Sequence, residues 1–100
     1  MDERLDVQIQ LSAQRALWGQ VPPSLRAVSV DIDEQRVYFR CIFDGEPTEY
    51  DWNLMSVAAT EIIADFRAPY TIKEDYLSVK VPKEMNHLKY LVYLRHEKQE

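Results

Sequence analysis

A chain of 100 residues, 46% hydrophobic and 29% charged, has the size and composition of one globular domain, able to bury roughly 65% of its unfolded surface but too small for a deep interdomain cleft. No apolar run approaches the ~18 residues that cross a bilayer, and the acidic start MDERLDVQIQ lacks the basic and apolar regions of a signal peptide, so a cytoplasmic protein is expected. The net charge of −5 disfavours a general nucleic-acid binder or an anionic membrane as partner and suits a basic protein.

From Glu3 to Trp18 a strand-like alternation competes with a helical repeat of Leu5, Ile9, Ala13, Ala16 and Leu17. The longer window, the helix-favouring SAQRALW, Asp2 as a cap and Gly19 past the end all select a helix. Val7, Leu11 and Trp18 form a second stripe on it. The prolines of QVPPS make a stiff connector. LRAVSVDID and RVYFRCIF then alternate with a period of two, and Asp33 to Gln35 turns the chain between them, which predicts a β-hairpin with one buried face. Cys41, the single cysteine, rules out an internal disulfide and reads as a core thiol.

Pro47 and Thr48 open the next helix near Glu49, with Asp51 placed to complete a capping box and Glu49 and Asp51 suited to the positive helix end. At ~100° per residue, Trp52, Met55, Ala59, Ile62, Ile63 and Phe66 share one broad arc. That arc is expected on a sheet surface of Val28, Val30, Val37, Phe39 and Val79. The opposite arc, with Tyr50, Leu54, Val57, Glu61 and Asp65, mixes apolar and acidic side chains. RAPYT reads as a loop, Tyr76 to Val81 as a third strand ended by Pro82, and KEMNH as a turn. LKYLVYLR, apolar on both faces, reads as a central strand, and HEKQE as a fraying tail.

The order αββαββ predicts an α+β two-layer sandwich: one domain over 1–100, a four-stranded, mainly antiparallel sheet, and two helices on one face. A circularly permuted ferredoxin-like topology fits, with a meander as the alternative. Gly19 and Gly45 are the only glycines, too few for a phosphate cradle of either common type. The serines lack a nucleophile-elbow context, and His87 and His96 lie in a turn and a tail. No metal-ligand spacing or cofactor motif is present, so no catalytic residue, metal or cofactor is assigned. Glu61 and Asp65, four apart, fit a solvated helix surface better than a catalytic acid pair.

Two surfaces remain. One is a protein-binding surface of Tyr50, Asp51, Leu54, Val57, Glu61 and Asp65, with aromatic anchors and carboxylates that suit a basic partner. The alternative is an RNA-binding outer sheet face of Arg36, Tyr38, Arg40, Lys80, Lys89, Tyr93 and Arg95, where rings stack bases and cations meet phosphates. The second stripes, Val7, Leu11 and Trp18 on one helix and Tyr50, Leu54 and Val57 on the other, are expected either to cover one another or to mark a dimer or partner surface.

At LRAVSVDID, FRCIFDGEPTEYDW, TEIIADF and LVYLRHE the chain resembles a group of small bacterial proteins of similar length. Some of these resemble immunity proteins encoded beside contact-dependent or other polymorphic toxins. That resemblance implies a cytoplasmic, non-enzymatic inhibitor that binds one toxin domain, often a basic nuclease.

Overall fold

Alternation of Val28, Val30 and Ile32 with polar residues, mirrored by Val37, Phe39 and Cys41, builds the centre of the molecule. In the computed structural model, which describes residues 3–97, these side chains lie opposite one another in the pairs Val28–Cys41, Val30–Phe39 and Ile32–Val37. They join β1 (Leu25–Asp33) to β2 (Arg36–Phe43) in antiparallel register. Glu34 and Gln35 make the two-residue turn with φ of 46° and 65°, the left-handed geometry that matches strand twist in a tight hairpin.

Helix α1 (Glu3–Ala16) precedes this hairpin and α2 (Glu49–Ala64) follows it. Ile9, Ala13 and Ala16 recur at helical spacing and are buried. After Ala16 the chain tightens into a turn in which Trp18 donates its N–H to the Arg15 carbonyl. Gly19, at φ +76°, then turns the chain away, a conformation open to glycine at little cost. The helix thus stops two residues short of Trp18, while Asp2, expected as its cap, lies outside the described residues. On α2, the Thr48 hydroxyl accepts from the Asp51 N–H and the Asp51 carboxylate accepts from the Thr48 N–H. This is the predicted capping box.

Because a helix connects them, β2 and β3 (Thr71–Ser78) run parallel, Arg36 beside Thr71 through Phe43 beside Ser78. A crossover of this length returns the chain in the same direction, which a tight hairpin cannot do. β4 (Tyr90–Leu94) pairs antiparallel with β1, so the order is β3-β2-β1-β4. The α+β class, the αββαββ order and the four strands are as expected. The second hairpin is not, since β3 and β4 occupy opposite edges. Nor is the last strand central, so the permuted ferredoxin-like topology and the meander both give way to this mixed sheet. β3 also begins earlier than expected, because pairing to β2 recruits the polar TIKED, where no alternation of apolar residues marks a strand.

Between helices and sheet lie Ile9, Ala13, Leu25, Val28, Val30, Val37, Phe39, Cys41, Phe43, Met55, Ala58, Ala59 and Ile62, all essentially without solvent exposure. Burying a side chain such as Phe39 or Ile62 contributes ~1.5–3 kcal/mol. Two expectations need correction. Trp52 is 50% exposed and stands edge-on against Tyr76, ring centroids 4.5 Å apart, because the start of α2 overlies the edge strand β3. Val79, just past β3, is half-buried.

Ala27, Ser29 and Ile42 are buried as well, but on the face away from the helices, alternating with the core residues. What covers them is the chain between β3 and β4. Leu88 donates its N–H to the Ser29 hydroxyl, and Arg40 donates to the Asn86 carbonyl. At the end of the sheet Arg26, 3% exposed, donates to the carbonyls of Val79 and Lys83 at 2.7 and 3.0 Å. The same guanidinium grips both carboxylate oxygens of Glu97 at 2.7 and 2.8 Å. Arg95 reaches Glu97, Asp44 and the Pro23 carbonyl. Glu97 is therefore anchored and not part of a fraying tail, while Lys98 to Glu100, the rest of the expected tail, lie outside the described residues. The Arg26 hydrogen bonds, followed by those of Arg95, hold the Glu97 carboxyl down at about 2. The N–H of Val81, then Arg95, lowers that of Asp44.

Candidate functional site

Helix α2 holds Asp51, in its first turn, and Asp65, just past its end, in structural contacts and leaves Tyr50, Val57 and Glu61 facing out. Besides closing the capping box, Asp51 accepts from the Ser24 hydroxyl at 2.9 Å, joining the helix start to the connector after α1. Asp65, just past the other end, accepts from the Ser12 hydroxyl at 2.6 Å and pairs with Arg15 at 3.1 Å. Gln8 donates to its carbonyl. Asp65 is thus turned toward α1, so it does not act with Glu61 as an acid pair on open solvent.

Of the other predicted binding residues, Leu54 is half-buried and packs against the core. Tyr50 is 70% and Val57 48% exposed, and Glu61 is exposed. The two helices pack side by side without covering these second stripes. Tyr50 and Val57 on α2 remain open, as do Val7, Leu11 and Trp18 on α1.

Sequence reasoning placed Trp52 in the core and so missed its part in this surface. Its indole rests on Tyr76, whose hydroxyl is hydrogen-bonded to Glu74. Burial, reinforced by Glu74, raises the Tyr76 pKa well above the ordinary tyrosine value, so the ring carries no charge near neutrality. Glu46, Glu49 and Glu74 are also exposed. Exposed Trp52 on half-buried Tyr76 of β3, with carboxylates nearby, offers an apolar anchor and a negative rim. Such a surface fits a cationic protein. The signal that could have found Trp52 is the connectivity: a helix crossing to a parallel strand must start over the edge it is about to build.

The seven residues of the alternative nucleic-acid surface do not assemble. Arg36 and Tyr38 share the outer side of β2. Arg40 is engaged by Asp75 at 2.8 Å and by the Asn86 carbonyl. Lys80 lies beyond β3 and Lys89 before β4, with the Lys89 ammonium 5.2 Å from the Tyr90 ring centre. Tyr93 packs toward the helix-side core, and Arg95 belongs to the ion-pair network at the sheet end. The chain between β3 and β4 occupies much of the face they were expected to share.

Comparison with known proteins gives the family. A model of the MafI2 immunity protein family matches residues 6–97. The chain belongs to this family. The match spans nearly every described residue, and it bears out the resemblance to polymorphic-toxin immunity proteins read from the four stretches above. A comparison with curated proteins gives no match. Membership in the MafI2 family supports an immunity role and implies a toxin as protein partner. Among the described residues, no helix is long and apolar enough to cross a membrane.

Proposed function

We propose that this chain neutralises a toxin domain by binding it directly, as a non-enzymatic inhibitor, through the outward face of α2. Tyr50 and Val57 supply the apolar contact, with the exposed edge of Leu54, while Trp52 stands on the other flank of the helix, over Tyr76 of β3. Glu61 and the carboxylates at the helix start attract a basic toxin surface. Asp51 and Asp65 set the position of the helix. The observation that carries this reading is that Tyr50 and Val57 stay uncovered although α1 packs alongside. Leaving such residues in water has no benefit to folding, and large aromatics at protein interfaces are the usual centres of binding energy.

The test is co-expression with the toxin domain encoded beside this chain, followed by affinity measurement on the purified pair. The chain is expected to restore growth and to form a complex. Tyr50→Ala is expected to weaken that complex by roughly 30-fold, corresponding to a hot-spot loss of ~2 kcal/mol, with folding unchanged. Full protection by a Tyr50→Ala, Trp52→Ala double variant would place the interface elsewhere.

A further inference from the structure

The outer side of α1 carries a second uncovered surface, framed by arginines and amides where that on α2 has carboxylates. Val7 and Leu11 are each 54% exposed and Trp18 75%. They line a shallow groove of about 820 Å³ together with Arg4, Gln8, Gln14 and Arg15. No carboxylate is among these lining residues, although the chain as a whole carries −5. Apolar side chains framed by arginines and amides do not suit a basic toxin, yet exposed apolar surface of this kind marks a contact.

The spacing of the groove indicates its occupant. Its residues stand in pairs at equal distances on either side of Leu11: Gln8 with Gln14, Val7 with Arg15, and Arg4 with Trp18. An antiparallel second copy, related by a two-fold axis at Leu11, sets the members of each pair against one another. Amide meets amide, each able to donate and accept. The Arg4 guanidinium meets the indole of Trp18, a favourable cation–π pair. Val7 meets the aliphatic stem of Arg15, whose charge is already balanced by Asp65. A parallel arrangement would set arginine against arginine. We infer that this face is a two-fold interface between two copies of the chain, α1 crossing α1 antiparallel, which leaves the α2 face free. One helix per copy gives a small interface, near the lower limit of ~1,000 Å² for a specific contact, so a reversible monomer–dimer equilibrium is expected.

Sedimentation velocity on the purified chain, from micromolar to millimolar concentration, tests this with no toxin present, so the result stands or falls apart from the proposed inhibition. A monomer–dimer equilibrium is expected. Leu11→Glu brings two carboxylates together at the axis and is expected to leave a folded monomer at every concentration. Leu11→Cys, oxidised, is expected to cross-link to its own copy, while Ser78→Cys on the distant edge strand does not. The wild type, whose Cys41 is buried, is the background. A wild type that stays monomeric at millimolar concentration, a Leu11→Glu variant that still dimerises, or equal cross-linking at Ser78 each overturns the inference. Loss of toxin neutralisation in Leu11→Glu together with a monomeric wild type would assign the groove to the toxin instead.

Discussion

The two faces of the sheet are covered by different chemistry. On one, α1 and α2 lay apolar side chains over Val28, Val30, Val37 and Phe39, a contact without direction or charge. On the other, the chain from Val79 to Lys89 lies across Ala27, Ser29 and Ile42, and hydrogen bonds hold it there: those of the Ser29 hydroxyl and Arg40, and above all those of Arg26, which donates to the Val79 and Lys83 carbonyls while it grips Glu97. A helix can bury a whole stripe of its own surface, whereas an irregular strap has few apolar side chains to offer and must satisfy its backbone groups one by one. The first cover tolerates imprecision and the second does not. A buried guanidinium gains from its partners only while all of them are in place.

Removing the hub of the polar cover is the strongest way to break the comparison. Arg26→Ala strips Glu97 and the carbonyls of Val79 and Lys83 of their donor, and is expected to cost ~3–5 kcal/mol in denaturant unfolding. An Arg26→Met, Glu97→Leu double variant is expected to recover part of that loss, since no unpaired charge remains; no recovery would mean that the carbonyl contacts, and not the ion pair, carry the effect. On the apolar side, Ile62→Ala is expected to cost ~2–5 kcal/mol by transfer and cavity terms, and to do so equally at every pH. A cost within the ~0.5 kcal/mol of a surface site would show that the helix layer contributes little.

Acid separates the two covers without mutation. The folded-state pKa of Glu97 lies below its ordinary value of 4.5, at about 2. The stability it contributes is therefore present above pH 4.5 and is lost as pH falls through about 2. Asp44, also lowered, adds in the same direction. Hydrogen exchange at the Leu88 and Val81 amides is expected to speed up over that window before amides of α2 do; simultaneous loss would merge the two covers into one unit. The smallest effect expected is at the helix start, where Thr48→Ala removes one cap bond and should cost ~0.5–2 kcal/mol, read as a drop in thermal midpoint with the β1–β2 hairpin amides unchanged in order of exchange.

The surface of α2 shows where reading residues in line reaches its limit. Tyr50, Val57 and Glu61 were assigned to the outer arc from helical angle alone, and they are exposed. Asp65 lies on the same arc and Asp51 is expected in the same binding surface, yet Ser24, Ser12 and Arg15 occupy them. Those partners are 27 to 53 positions away in sequence, and no local pattern announces a hydroxyl arriving from another element. Trp52 escaped for the complementary reason, because its arc faces the sheet but the sheet ends beneath it.

What the residues determined by themselves was everything that depends on near neighbours: both helices, the capping box at Thr48, and the β1–β2 hairpin with its paired apolar faces. These follow from backbone sterics and periodicity, which act over a few residues. Tertiary structure alone decided the order of the strands. β4 looked central because Leu91 and Leu94 as well as Tyr90 and Tyr93 are apolar, yet it lies at an edge with Leu91 43% and Leu94 56% exposed. A strand's place depends on which pairing leaves the fewest unsatisfied groups over the whole sheet. Here the parallel partnership of β3 with β2 and the Arg26 network settle it, and both join residues that no window on the chain brings together.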